Sequence, residues 1–223
     1  MKGYELYLVG YNFAQVLGWG AVLVKTVLGI AAGKTNEELY DNVALELAIF
    51  QTAAILEIVH AAVGFVRSPI ATTATQVFSR VVVVWTILYK VPSSRSSIGV
   101  LMLLLAWSIT EVVRYSFYAL GLLKSVPFAL TWMRYTFFIV LYPLGASGEV
   151  ITMIAALPEI WEKKHLSFEL PNSFNFGFSY YYFVIILCLY YLPGFPQLYG
   201  YMFQQRKKYV TNAGSTEGQK KKA

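Results

Sequence analysis

Apolar residues fall into six long blocks separated by short polar stretches. The first runs from about Leu6 to Ala32, with Lys25 its single charge. The second, about Val43 to Val66, contains Glu46, Glu57 and His60. Arg67-Ser-Pro69 ends it, because a residue before proline avoids the helical region. The third, about Gln76 to Tyr89, carries Arg80 and is closed by Lys90 and Pro92. The fourth runs from about Ile98 to Leu123 and the fifth from about Phe128 to Leu157. The sixth, about Phe178 to Phe203, opens on Tyr180-Tyr-Tyr182, a pattern suited to a membrane interface. Pro193 and Pro196 are expected to kink or shorten it. Long apolar runs of this kind predict transmembrane helices, so the expected fold is all-α, a bundle of six spans.

The connectors read as loops: acidic Lys34 to Asn42, the helix start or connector Ala71 to Thr75, turn-rich Pro92 to Ser97, Lys124 to Pro127, and mixed-charge Pro158 to Phe176. Gly29 and Gly33 form a small-xxx-small pair, a weak packing signal. There is no internal repeat. The expected organisation is a membrane domain over 1–203 and a basic tail over 204–223.

Composition agrees. The chain has 223 residues, 57% hydrophobic and 13% charged, with mean hydropathy +0.53. A soluble domain is nearer about 25% charged. Of the net charge of +6, the tail carries +5. Six spans put both ends on one side, and the basic tail argues that this side is the cytosol. No basic patch is interleaved with aromatics, so nucleic-acid binding is not expected. Ile30-Ala-Ala-Gly33 resembles a weak signal-peptidase site, but the apolar run before it is too long, so a retained span is expected. The one cysteine, Cys188, and two separated histidines, His60 and His165, give no disulfide framework and no metal pattern; no cofactor is expected.

The blocks hold four acids (Glu46, Glu57, Glu111, Glu149), four bases (Lys25, Arg80, Arg114, Arg134) and His60. Any one of these pairs readily with another to lock helices together, and Lys25 can snorkel. Glu111 and Arg114 stand at i, i+3 on one helix face. The set as a whole points to a functional cavity, because buried ion pairs offset their own desolvation poorly.

Arg134 to Glu149 concentrates this chemistry. Tyr142 and Glu149 are seven residues apart. At about 100° per residue they leave one helix face roughly 10 Å apart along the axis. Pro143 removes a backbone donor beside Tyr142, and Gly145 and Gly148 allow another chain or a substrate to come close. Glu149 has no base at i±3 or i±4, and a carboxyl so placed suits proton transfer.

Leu56-Glu-Ile-Val-His60, Val66-Arg-Ser-Pro-Ile70, Gln76-Val-Phe-Ser-Arg80, Trp107-Ser-Ile-Thr-Glu111-Val-Val-Arg114-Tyr115, Arg134-Tyr-Thr and Leu141-Tyr-Pro-Leu-Gly145-Ala-Ser-Gly-Glu149 resemble the very-long-chain 3-hydroxyacyl-CoA dehydratases, once called protein-tyrosine-phosphatase-like. The likeness covers roughly Leu6 to Lys208. It implies a six-span endoplasmic-reticulum enzyme that removes water from a 3-hydroxyacyl-CoA to give the trans-2-enoyl-CoA. It implies Tyr142 and Glu149 as the catalytic pair and Glu57, Arg80, Glu111, Arg114 and Gly145 as supporting residues. It also implies membrane lipid and the elongase, ketoacyl-CoA reductase and enoyl-CoA reductase of fatty-acid elongation as partners. A phosphatase Cys-x5-Arg loop is absent, since Gly194 stands where its arginine would be.

Dehydration needs a base for the C2 proton and an acid for the departing hydroxyl. Either member of the pair fits either role. The working assignment has Tyr142 take part in removing the C2 proton and Glu149 protonate the departing hydroxyl; the phenol, near pKa about 10, then needs help from an arginine, and the reverse assignment is physically at least as easy. Arg or Lys at the cytosolic mouth is expected to meet the anionic CoA head. Lys220-Lys221-Lys222-Ala223 looks like a dilysine retrieval signal. The rival readings are a small transporter, with buried charges lining a path, and a non-catalytic scaffold of the elongation machinery.

Overall fold

The computed structural model describes residues 2–168, 170–171 and 175–211. Among the described residues there are eight α-helices: α1 (Gly3–Ala31), α2 (Asn36–Ala53), α3 (Ile55–Ala62), α4 (Ile70–Val82), α5 (Ile98–Leu122), α6 (Phe128–Thr136), α7 (Phe138–Lys163) and α8 (Tyr180–Arg206). With α2–α3 and the π-helical extension of α4 (Val83–Tyr89) counted as continuous, six helices are long and apolar enough to cross a membrane. Among the described residues the one β feature is a bridge between Phe168 and Phe178. The all-α six-span fold is therefore as expected.

Several boundaries move, each for a local reason. The acidic loop expected over Lys34 to Asn42 is mostly helix. Thr35 and Glu38 form a capping box, Glu38 N–H donating to Thr35 Oγ1 at 3.3 Å and Thr35 N–H to Glu38 Oε2 at 2.7 Å. The second span is broken at Ala54. There Tyr11 of α1 donates to Ala53 O at 3.2 Å, and Gln15 Nε2 adds a second donor at 3.3 Å to Phe50 O, which also accepts from Ala54 N–H at 3.2 Å. The third span begins at Ile70, before the expected Gln76, and its last carbonyls are capped by Arg95, whose Nε donates to Leu88 O at 2.8 Å. The fifth divides at Phe137 into α6 and α7, and α7 runs through Pro143 and Pro158 to Lys163. The sixth likewise passes through Pro193 and Pro196 to Arg206, and a π turn (Lys207–Thr211) carries helical backbone into the expected tail. Lys220, Lys221 and Lys222 lie outside the described residues.

The central helix is α5, with half of its apolar window buried, packed between α1 and α7. Around it Trp19, Leu47, Ile87, Leu103, Leu104, Trp107 and Met153 form a closed core. Outward faces present Leu17, Val140, Ile186 and Leu192, as a lipid-facing surface requires. Two glycines set the α5–α7 approach. A Cβ on Gly148 would lie 2.8 Å from Gly99 O and 2.8 Å from Leu103 N, so the backbones touch directly. Gly29 packs on Leu39, but Gly33 lies beyond α1 at φ 71°, ending the helix rather than packing it.

Candidate active site

Glu149 lies near the middle of α7 and is 7% exposed. Trp107 Nε1 of α5 donates to its Oε1 at 2.8 Å, and the Tyr191 hydroxyl of α8 donates to its Oε2. The carboxyl is thus not unpartnered, as sequence spacing suggested; its partners come from two other helices. Gly145 admits the indole: a Cβ there would stand 3.3 Å from Ala106 Cβ and 3.7 Å from Trp107 Cδ1. Gly145 therefore acts through packing, one turn before Glu149.

Tyr142 sits one turn inside α7, against α8. Its ring stacks on Phe195 with centroids 4.9 Å apart and on Tyr199 at 5.9 Å. Pro143 has no N–H to give the carbonyl four residues back, that of Ile139. Tyr199 supplies the missing donor, its hydroxyl standing 2.9 Å from Ile139 O.

The other expected polar residues form one continuous ion network. Arg114 binds Glu57 through both terminal nitrogens, at 2.6 and 2.9 Å, and donates from Nε to Glu111 at 2.7 Å. Arg80 binds the other oxygen of Glu111, and the Tyr115 hydroxyl binds Glu57. The Arg80 guanidinium also lies 5.3 Å from the centre of the Trp107 ring, the same indole that holds Glu149. Glu57, Arg114, Glu111, Arg80, Trp107 and Glu149 thereby make a chain from α3 to α7.

The remaining polar groups of the spans stand apart. Lys25 pairs with Glu46 between α1 and α2. Arg134, on α6, reaches Tyr118 at 3.5 Å. His60 meets Tyr7 at 3.0 Å and is edge-on to Tyr11. Of the three tyrosines expected at the interface, Tyr180 turns inward and bonds Thr86, while Tyr182 stays exposed. An apolar groove of about 400 Å³ runs along Ile109, Thr136, Phe137, Ile139, Val140 and Leu141, ending just before Tyr142 in the chain.

Tyr191 was missed because aromatic residues recur through the sixth block without a period, so none stands out. Trp107 lies in one of the quoted motif stretches, yet nothing in its spacing says that its N–H faces Glu149.

Residues 51–212 match the family model for protein tyrosine phosphatase-like protein, PTPLA. A Caenorhabditis elegans protein named very-long-chain (3R)-3-hydroxyacyl-CoA dehydratase hpo-8 is 58% identical over 216 residues, 96% of this chain and 99% of that one. Human very-long-chain (3R)-3-hydroxyacyl-CoA dehydratase 2 is 44% identical over 215 residues, 96% of this chain and 84% of its own. The Arabidopsis thaliana dehydratase PASTICCINO 2 is 40% identical over 214 residues, 94% and 95% of the two chains. No solved structure matches. With most of its length inside the family model and its relatives aligned nearly end to end, the chain belongs to the PTPLA family, the group that includes proteins named very-long-chain (3R)-3-hydroxyacyl-CoA dehydratases.

Proposed function

We propose that this protein dehydrates 3-hydroxyacyl-CoA to trans-2-enoyl-CoA in very-long-chain fatty-acid elongation, with Tyr142 and Glu149 as its catalytic pair. The carrying observation is that a carboxylate held by two donors shares one helix with a phenol, while Arg80 lies over the indole that holds the carboxylate. A carboxylate with one donor on each oxygen keeps an acceptor site free, which suits a base. A phenol, with an ordinary pKa of about 10, is protonated at rest, which suits an acid.

Glu149 then takes the C2 proton. The C2–H electrons form the C2=C3 bond, the C3–O bond breaks, and the hydroxyl leaves as water with the Tyr142 proton. Return of the proton from Glu149 to Tyr142 resets the site. The groove before Tyr142 offers an apolar bed for the acyl chain, which the surrounding lipid extends.

The ion network of Glu57, Arg80, Glu111 and Arg114 supports this site by bracing Trp107. We place the enzyme in the endoplasmic-reticulum membrane with both ends cytosolic, on its even number of spans and basic tail. The CoA donors and acceptors of the elongation cycle, its elongase and two reductases, are the partners this reaction requires.

Purified protein given a 3-hydroxyacyl-CoA should form the enoyl product. Glu149→Gln and Tyr142→Phe should each lose at least about 100-fold in kcat, as removal of a general acid or base does. Near-normal turnover in both variants would remove the pair from the mechanism, and transport without chemistry would favour a transporter.

A further inference from the structure

We propose that Tyr191 and Trp107 are positioning residues that clamp the two oxygens of Glu149 and aim the carboxylate at the substrate C2 proton. The inference rests on the reading of Glu149 as the base, and it adds two residues outside the expected site.

The clamp is built from separate elements. Trp107 comes from α5 and Tyr191 from α8, and each takes a different carboxylate oxygen. A carboxylate offers about four lone-pair sites on its two oxygens, so one donor on each still leaves a site free to accept a proton. A glutamate side chain otherwise has several rotamers. Two donors from rigid helices choose one of them, and a misplacement of about 1 Å costs roughly 100-fold in rate.

Each arm of the clamp is itself fixed. The indole is 2% exposed, lies between the Arg80 guanidinium and Gly145, and Arg80 is tied onward to Glu111. Tyr191 is one of two α8 tyrosines that serve the site. It meets Glu149, and Tyr199, eight residues on, meets the carbonyl beside Tyr142. Tyr142 and Glu149 are spaced by seven on the antiparallel α7. One face of α8 therefore registers with both members of the pair. Neither Trp107 nor Tyr191 needs to touch the substrate in this role.

The test uses the full-length protein in lipid, with a 3-hydroxyacyl-CoA carrying protium or deuterium at C2. Tyr191→Phe and Trp107→Phe each keep an aromatic ring and remove one donor. Each should lower kcat about 10- to 100-fold, leave KM within about twofold, and raise the C2 deuterium isotope effect, because proton removal becomes slower relative to the other steps. Tyr190→Phe, one residue from the clamp and exposed, should match wild type.

A loss of kcat with an unchanged isotope effect and fewer active molecules overturns the clamp in favour of plain structural support. Wild-type kcat in both variants also overturns it. A Tyr191→Phe loss as deep as that of Glu149→Gln would make Tyr191 a proton carrier in its own right, again against the proposal. If Tyr191→Phe does not fold, Trp107→Phe tests the opposite oxygen by the same readouts. An active Glu149→Gln defeats the base assignment itself, whereas an inactive Glu149→Gln beside a normal Tyr191→Phe defeats the clamp alone.

Discussion

The Tyr199 hydroxyl donates at 2.9 Å to the carbonyl of Ile139, the backbone acceptor that Pro143 leaves without its helical donor. A proline inside an apolar helix exposes such an acceptor where no water is at hand. Here the repair comes from a ring that also stacks on Tyr142. Tyr199→Phe keeps the ring and removes the hydroxyl, so it isolates the bond. It should cost about 1–3 kcal/mol, the price of an unsatisfied buried acceptor. It should also lower kcat several-fold through Tyr142 while KM holds. Thermal unfolding in detergent together with steady-state kinetics checks both; an unchanged midpoint would mean that Ile139 finds another donor.

The ion network makes a sharper demand on stability. Arg114 faces Glu57 and Glu111 together, and Glu111 is 2% exposed. Arg114→Met would leave two carboxylates in an apolar interior opposite Arg80 alone. Breaking a buried pair in this way costs about 3–5 kcal/mol. Arg114→Lys should rescue little, because one ammonium cannot reproduce the two-pronged bond to Glu57 and the Nε bond to Glu111. Glu57→Gln combined with Arg114→Met should be milder than the summed single losses, since the groups share one network. Additive losses, measured as unfolding midpoints in one detergent, would argue that the residues act separately.

Glycines along α7 give a graded comparison. A methyl group at Gly148 meets backbone at 2.8 Å on two sides, and neither Gly99 O nor Leu103 N can turn away. Gly148→Ala should therefore part α5 from α7 and abolish stable folding. A methyl group at Gly145 meets Ala106 Cβ at 3.3 Å and the Trp107 ring at 3.7 Å. Gly145→Ala should fold, but shift the indole and weaken its hold on Glu149, so activity should fall more than stability. Gly20→Ala, with open space around it, serves as the control and should be neutral or slightly stabilising. Expression, unfolding midpoint and turnover of the three variants rank them; equal stability of Gly145→Ala and Gly148→Ala would contradict the packing described.

What was legible in the chain follows from the range of each interaction. The six spans could be read because apolar length is a local property. The Glu111–Arg114 pair could be read because i, i+3 is local as well. Thr35-Asn-Glu-Glu38 was also legible, as a capping box, but its acidity suggested a loop. The partners of Glu149 were not legible, since Trp107 and Tyr191 lie 42 residues away on either side. Likewise the hydroxyl that meets Ala53 O at the Ala54 break, that of Tyr11, comes from another helix. Pro143 predicted a freed carbonyl; only the fold shows which hydroxyl answers it.

The Lys25–Glu46 pair separates structural charge from functional charge. It joins α1 to α2, with side chains 41% and 25% exposed, and has no bond to the network around Arg114. Lys25 Nζ also donates to Asn42 O at 3.3 Å, so the contact behaves as a brace between neighbouring helices. Lys25→Met alone should leave Glu46 unmatched at the bundle edge and cost about 1–3 kcal/mol, moderated by snorkelling toward the interface. Lys25→Met with Glu46→Leu should recover most of that loss, because a well-packed apolar pair often replaces a buried ion pair without penalty. Turnover per folded molecule should stay at the wild-type level in both proteins. The same apolar exchange at Arg80 and Glu111 should instead reduce turnover sharply even where folding is recovered, since Arg80 carries the positive charge over Trp107, the indole that holds Glu149. Active-site titration followed by kcat on the two double variants makes the comparison, and equal turnover in them would mean that the charges near Glu149 only hold helices together.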